Sequence, residues 1–393
     1  MFCRFRFRLV TSVTLLCVAL LAWLLFLSSW NFNSGPETTW IFQQFGQVLY
    51  ESNRPHQQVL PLNVKADTSM GLSYCANGFE QGWSFKCKVK CADPSLLALK
   101  TDIRLKLPTK CKKYVLQTTG KSKVSLPEFN FTDKCMRDEL YEQCSGGQLV
   151  PNIVHYIFFG IQKLSFFHFL SVWSIHTIQK PCVILVHGDT QLSGPYWTNL
   201  VRAIPNIIRV RRMPPTHIFG IPIKLVEHKA DVARLEAVRD FGGIYMDNDE
   251  ILLQSLDPLR KYNFTLSHEF NYNLANGLIM SSRNASFVNR WYQEYKTYDG
   301  VVWGHHSTIV PYKLSQQYPH LIHIEKNNFV NPDYNNRDMI FKENFNWSNN
   351  YAIHLYIRKY KFEHNFTDIR HLNTTIGSVA RHVLYGHKEL CSD

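Results

Sequence analysis

Charge is scarce in this chain of 393 residues: 19% are Asp, Glu, Lys or Arg, against 45% hydrophobic and 14% aromatic. That balance excludes a globally disordered chain, because so much apolar surface must be buried. The length suits one or two medium domains. There is no internal repeat. The cysteines lack paired C-x2-C units, so a structural zinc site is not expected. Acidic residues are the rarer sign, 31 against 43 Lys and Arg, leaving a formal charge of +12. Alone, that excess points to nucleic acid. Two further absences argue otherwise. No charge of either sign falls between Leu9 and Leu27, and no basic residue falls between Arg8 and Arg54.

The uncharged run is long enough to cross the ~30 Å hydrocarbon core of a bilayer as a helix. Leu24 to Trp30 offers no small-residue cleavage site, so the run is expected to stay as an anchor. Arg4, Arg6 and Arg8 precede it, which places the N-terminus in the cytosol. The expected organisation is a cytosolic tail (1–8), a transmembrane signal anchor (9–28), a stem (29–74), a cysteine-rich luminal region (75–149) and a main domain (150–393). A luminal chain of this type does not meet nucleic acid. Eight cysteines (Cys75, Cys87, Cys91, Cys111, Cys135, Cys144, Cys182 and Cys391) follow the span as an even set, expected to form disulfides of unassigned pairing. N-x-S/T sequons begin at Asn130, Asn263, Asn284, Asn346, Asn365 and Asn373, in keeping with a glycosylated face.

From Val150 the texture becomes strand–helix alternation. Ile153–Phe159 reads as a first strand, 166–178 as a helix and Cys182–Val186 as a buried strand. Tyr196–Ala203 reads as a helix, Ile207–Val210 as a strand and Leu225–Phe241 as a helix closed by Gly242-Gly243. Ile244-Tyr245-Met246 leaves as a strand. Repeated βα units predict an α/β fold, a mostly parallel sheet flanked by helices, with ligands at the carboxyl ends of its strands.

Asp247, Asn248 and Asp249 stand at the end of that last strand. Two carboxylates two residues apart face one hard cation if the chain turns there; a solvated strand end would read the same. A calcium EF-hand is excluded, since Ile251 and Leu252 replace the glycine turn and further oxygens such a loop needs. Asp231 and Arg234 are three apart on the preceding helix and share a face. As a surface ion pair they would be worth about 0.2–0.5 kcal/mol, so their removal should be nearly silent; if they serve a ligand instead, its binding should suffer while the melting temperature without ligand barely moves. A metal-dependent phosphohydrolase and a catalytically silent carbohydrate-binding membrane protein are the competing classes. The first would need further His or carboxylate ligands that no motif here supplies.

Val154-His155-Tyr156-Ile157-Phe158-Phe159-Gly160, Lys229-Ala230-Asp231-Val232-Ala233-Arg234, Phe241-Gly242-Gly243-Ile244-Tyr245-Met246-Asp247-Asn248-Asp249 and Leu256-Asp257-Pro258-Leu259 together resemble glycosyltransferase family 32, the DXD-containing sugar transferases. The resemblance spans about 150–390. It implies a GT-A, nucleotide-diphospho-sugar-transferase fold and a Golgi type II membrane enzyme. It also implies Mn2+ or Mg2+ as cofactor, a nucleotide sugar such as a UDP-sugar as donor, and a glycan acceptor on glycolipid or glycoprotein, with retention of configuration. Phe158 matches an aromatic that stacks on the donor base, although core packing explains a Phe there equally. Asp231 and Arg234 match a pair holding ribose and donor sugar, and Tyr245 an aromatic near the nucleotide. Asp247 and Asp249 match the metal and nucleotide-sugar motif, with Asp249 the direct ligand and Asn248 between them. Asn276, in Ala275-Asn276-Gly277, matches a segment facing donor sugar and acceptor. A histidine completes the metal or diphosphate shell in this fold; His354, in a short apolar stretch, is favoured over the His305-His306 pair. Glu269 and His268 are candidate acceptor contacts, and Arg358 a candidate diphosphate contact.

Overall fold

The computed structural model describes residues 88–91, 111, 115–119, 124–270 and 272–392. The expected tail, anchor and stem, and much of the cysteine-rich region with Cys75 and Cys87, lie outside the described residues. No helix among the described residues is long and apolar enough to cross a membrane.

The chain enters with β1 (Lys88–Lys90), β2 (Val115–Thr119), β3 (Val124–Asn130) and α1 (Lys134–Cys144). The alternation read from the sequence follows. It comprises β4 (Ile153–Phe158), α2 (Phe166–Ser174), β5 (Val183–Gly188), α3 (Pro195–Ala203) and β6 (Ile207–Arg211). A small hairpin of β7 (His217–Ile218) and β8 (Ile221–Pro222) leads to α4 (Val226–Phe241), β9 (Gly243–Met246) and β10 (Glu250–Leu252). Then come β11 (Phe264–His268), β12 (Leu274–Ser281), α5 (Ser286–Glu294), α6 (Val310–Gln317) and β13 (His323–Glu325). The chain closes with α7 (Asp338–Lys342), β14 (Ala352–His354), α8 (Asp368–His371), α9 (Thr375–Tyr385) and β15 (Leu390–Ser392).

Nine strands form one sheet in the order β13-β11-β12-β9-β4-β5-β6-β3-β2. The centre, from β9 through β4, β5 and β6 to β3, is parallel, as the alternation predicts. Two features depart from that expectation. The sheet takes in β2 and β3, so it extends N-terminal to residue 150, where the alternation begins. Arg209 of β6 meets Glu128 of β3 through Nε and Oε2 at 2.6 Å, a buried pair that fixes this edge. On the other flank β12 runs antiparallel to both β9 and β11.

Burial on both faces explains why the central strands read as continuous apolar runs. In β4, Val154, Tyr156 and Phe158 pack with Phe166, Phe169 and Trp173 of α2, whereas Ile157 packs with Val232 and Leu235 of α4. Gly242 and Gly243, at φ 71° and 109°, join α4 to β9 without a loop. A Cβ on Gly243 would lie 2.4 Å from the Ile153 carbonyl oxygen, so only glycine allows this approach.

Three disulfides are formed among the described residues: Cys91–Cys391, Cys111–Cys135 and Cys144–Cys182. The first lies beside the parallel pairing of β1 with β15, tying the start of the described fold to its end. The asparagines of all six sequons are exposed.

Candidate active site

The site is built where β9 ends. Strand pairing carries Leu278 of β12 opposite Met246, and the Asp247 N–H donates to the Gly277 carbonyl at 2.7 Å. The chain then turns, with the Glu250 N–H donating to the Asp247 carbonyl at 3.1 Å, and re-enters as β10. β10 pairs antiparallel with β14, so His354 stands opposite Glu250. Two strands remote in sequence thereby bring an imidazole to the two aspartates.

Asp247, Asp249 and His354 offer ligand atoms that all lie within 4.8 Å of one another. His354 Nε2 is 3.2 Å from Asp249 Oδ1 and 4.0 Å from Asp247 Oδ2. Asp249 is also held by the Ile357 N–H, which donates to its Oδ2 at 3.0 Å. Burial pushes the Asp249 carboxyl up, but the charge and hydrogen bond of His354 outweigh it and hold the group below its ordinary value. For His354, burial opposes the charge, yet Asp249, Glu250 and Asp247 raise it to about 10. Two carboxylates and an imidazole at this spacing fit a divalent cation. Gly277 makes the fit possible. A Cβ there would stand 2.7 Å from Glu250 Oε2 and 3.2 Å from Asp247 Oδ2 and His354 Nδ1.

The pair on α4 is not a surface ion pair. Arg234 is 6% exposed and Asp231 8%. Arg234 Nη2 lies 3.2 Å from Asp231 Oδ1, while Nη1 lies 3.2 Å from Asp247 Oδ1 and donates to the Asn276 carbonyl at 2.8 Å. Asn276 Nδ2 donates to Asp231 Oδ1 at 2.9 Å, closing a ring of contacts. Burial raises the Asp231 carboxyl, partly offset by the Arg234 charge. Tyr245 donates its hydroxyl to Asp247 Oδ1, and the Arg234 guanidinium lies 4.6 Å over its ring. Tyr245 thus serves the carboxylate with its hydroxyl, and its ring is buried.

Other predicted residues are placed differently. Phe158 is 1% exposed, with His168 edge-on to its ring at 5.7 Å; it belongs to the core, and no face of it is open to a nucleotide base. Asn248 turns its amide toward the Ile157 carbonyl at 3.4 Å, bracing the turn. His305 and His306 stack on each other at 4.9 Å and are not in the Asp247–Asp249–His354 group. His268 sits at the end of β11 with its ring 6.2 Å from Tyr312. Glu269 accepts from the Tyr356 hydroxyl at 3.1 Å, and Tyr356 in turn stacks on His354 at 4.1 Å. Arg358 is largely exposed, pairs with Glu227 and lies over Trp303. Sequence reasoning missed Glu250 and Tyr356. A polar residue opening an otherwise apolar strand was the only signal for the first.

Residues 182–265 match the family described as the glycosyltransferase sugar-binding region containing DXD motif. This segment, which holds Asp231, Arg234 and the Asp247–Asp249 turn, is similar to that family. The chain is 33% identical over 192 residues to Glucan organizing enzyme 1 of Cryptococcus neoformans var. grubii, covering 44% of this chain and 51% of that protein. It therefore spans about half the length of that relative. Among solved structures it is similar to the apo form of glycosyltransferase GlyE of Streptococcus pneumoniae TIGR4, with 10% identity, 59% of each chain covered and a TM-score of 0.38. It is also similar to galactosyltransferase LgtC in complex with donor and acceptor sugar analogs, with 15% identity, 44% and 72% covered and a TM-score of 0.29.

Proposed function

We propose that this protein is a retaining, metal-assisted glycosyltransferase that moves a hexose or N-acetylhexosamine from a nucleotide sugar, a UDP-sugar first, to a glycan acceptor on glycolipid or glycoprotein. One observation carries the reading. The Asp247, Asp249 and His354 cluster shares Asp247 with the Asp231–Arg234–Asn276 network, and Asp231, Arg234, Asp247 and Asp249 lie inside the segment that matches the DXD family, with Asn276 and His354 brought to it from beyond.

Asp249, Asp247 and His354 would hold Mn2+ or Mg2+, with Asp249 the first ligand. Such an ion, when bound, offsets the charge that develops on a departing nucleoside diphosphate. The chain's own groups do the rest. Arg234 and Asp231, already desolvated, bind ribose and sugar hydroxyls by charge-assisted hydrogen bonds without reorganising. Asn276 is pinned by Asp231 and presents its segment to the transferred sugar. Tyr245 and Arg234 together fix the rotamer of Asp247.

Retention is assigned to same-face attack. The anomeric carbon–phosphate oxygen bond breaks, the acceptor oxygen bonds to the same face, and the acceptor proton passes to the departing phosphate. Glu269, the first suspect as base for an inverting route, accepts from Tyr356 rather than standing free.

A Golgi type II arrangement with the catalytic domain in the lumen is part of the proposal. It is supported by the arginine-flanked apolar run at 9–28, the three disulfides and the six exposed sequon asparagines. The test is a panel of nucleotide sugars with Mn2+, assayed with glycolipid and glycoprotein acceptors. Nucleoside diphosphate released only when acceptor is present, with an anomerically retained product, is expected. Phosphate release without acceptor would favour a phosphohydrolase, and binding without turnover a silent lectin.

A further inference from the structure

One buried group in the site has no role in the reading above. Glu250 is 0% exposed, and neither carboxylate oxygen has a hydrogen-bond partner among the described residues. Leaving a carboxyl group bare in the interior costs folding free energy, and such groups are ordinarily paired. A purely structural glutamate would be satisfied; this one is kept unsatisfied beside the cluster.

Its position says what it faces. Glu250 is the cross-strand partner of His354 in the β10–β14 ladder. Nε2 of His354 is turned to Asp249, with Asp247 further off, whereas Nδ1, Glu250 Oε2 and Asp247 Oδ2 border the space that the missing Gly277 side chain leaves open, 3.2, 2.7 and 3.2 Å from the point its Cβ would occupy. Glu250 is not among the residues whose ligand atoms lie within 4.8 Å of one another, so it acts behind the cluster rather than in it.

We propose that Glu250 is a positioning residue for His354: its carboxyl accepts the Nδ1–H, fixing the tautomer and ring plane so that the Nε2 lone pair is presented to the metal beside Asp247 and Asp249. A ligating histidine generally needs such an acceptor on its other nitrogen, and losing it typically weakens metal affinity about 10–100-fold. The bare carboxyl and the glycine opposite are then one device, an acceptor held in reserve and the space to reach it. The proposal rests on the metal reading of Asp247, Asp249 and His354.

The test is Mn2+ binding to the full-length protein, followed by the decrease of the free Mn2+ paramagnetic resonance signal, with no sugar donor present. The variants are Glu250→Gln, Glu250→Ala, Asp249→Asn, His354→Ala and the double Glu250→Gln/His354→Ala. Glu250→Gln is expected to weaken Mn2+ by about 10–100-fold. Its melting temperature without metal should not fall, because an amide replaces an unsatisfied carboxyl. Glu250→Ala covers the case in which the glutamine variant does not fold, and should show the same loss. In the His354→Ala background, Glu250→Gln should add nothing, since the residue it positions is gone. If wild type and Asp249→Asn bind Mn2+ alike, or wild type binds none, the metal reading fails and the proposal with it. If Asp249→Asn and His354→Ala lose Mn2+ while both Glu250 variants bind as wild type, or if the loss at Glu250 is undiminished without His354, the positioning role alone is overturned.

Discussion

Arg234 shows how far burial changes the meaning of a residue pair. On an exposed helix face, Asp231 and Arg234 would be nearly silent to mutation. Here one buried guanidinium answers the buried Asp231, the half-buried Asp247 and the Asn276 carbonyl. Removing it leaves two carboxylates uncompensated, so Arg234→Ala should lose about 3–5 kcal/mol of stability as well as donor affinity. Thermal melts without ligand, set beside donor-saturation kinetics, check this; an unchanged melting temperature would return the pair to the surface-like behaviour expected from spacing alone. Asp249 is the contrasting case. Asp249→Asn keeps the shape and hydrogen-bonding reach but removes a ligand charge, and is expected to slow transfer by about 2.7–4 kcal/mol of activation free energy. Turnover at matched Mn2+ equal to wild type would end its assignment. The aspartates were legible because both sit within one short motif. Phe158 stayed open between stacking and core packing for the converse reason: motif position cannot say which face of a strand the ring takes, and β4 turns it into the core.

Two neighbouring strands and one turn hold the motif at its height. In β4, His155 Nε2 donates to the Gly242 carbonyl at 2.8 Å, which leaves Nδ1 to accept from His187 Nε2 of β5 at 3.0 Å. The His155 ring must be neutral to keep its accepting lone pair, and a charged His187 would bury a second N–H at Nδ1 with no acceptor among the described residues. Burial holds His155 down at about 4 and His187 well below the usual histidine range. The unfolded chain therefore binds more protons between pH ~4 and ~6.5, so stability falls as pH drops through that window and is flat with respect to this pair above it. Each histidine contributes up to about 1.4 kcal/mol per pH unit there. Urea unfolding from pH 4 to 8 should show a shallower acid limb for a His155→Gln/His187→Leu double variant than for wild type; equal slopes would discount the pair. At the turn itself, Gly243→Ala meets both a positive φ and the Ile153 carbonyl. It should cost at least about 1–3 kcal/mol, read by denaturant midpoint. The βα alternation was legible because two-sided burial writes apolar runs into the sequence. The antiparallel β12 was not, since pairing between β9 and β12 has no local signature.

At the scale of the whole molecule, the Cys91–Cys391 bridge closes nearly the entire described fold into one loop. Replacing both cysteines by serine should lower stability by about 2–5 kcal/mol while the distant site keeps its geometry. Calorimetry with parallel activity at low temperature separates the two effects, and a lost site would mean the bridge does more than close the chain. If the domain is luminal, endoglycosidase treatment of the expressed protein should shift its mobility. A protein without N-glycans would count against that arrangement. By itself the sequence determined the α/β alternation, the DXD turn after a buried strand, the Asp231–Arg234 face and the oxidising character of the cysteines. Each of these is written in local periodicity, short spacing or composition. Only the tertiary structure decided that strands before residue 150 complete the sheet, that Phe158 is core, and that Gly277 is a cradle. It alone decided that Glu250 and His354 meet across a ladder. Those outcomes depend on which distant segments pair and in what register, and the free energy that selects the pairing comes from burial summed over the whole sheet rather than from any local stretch of chain.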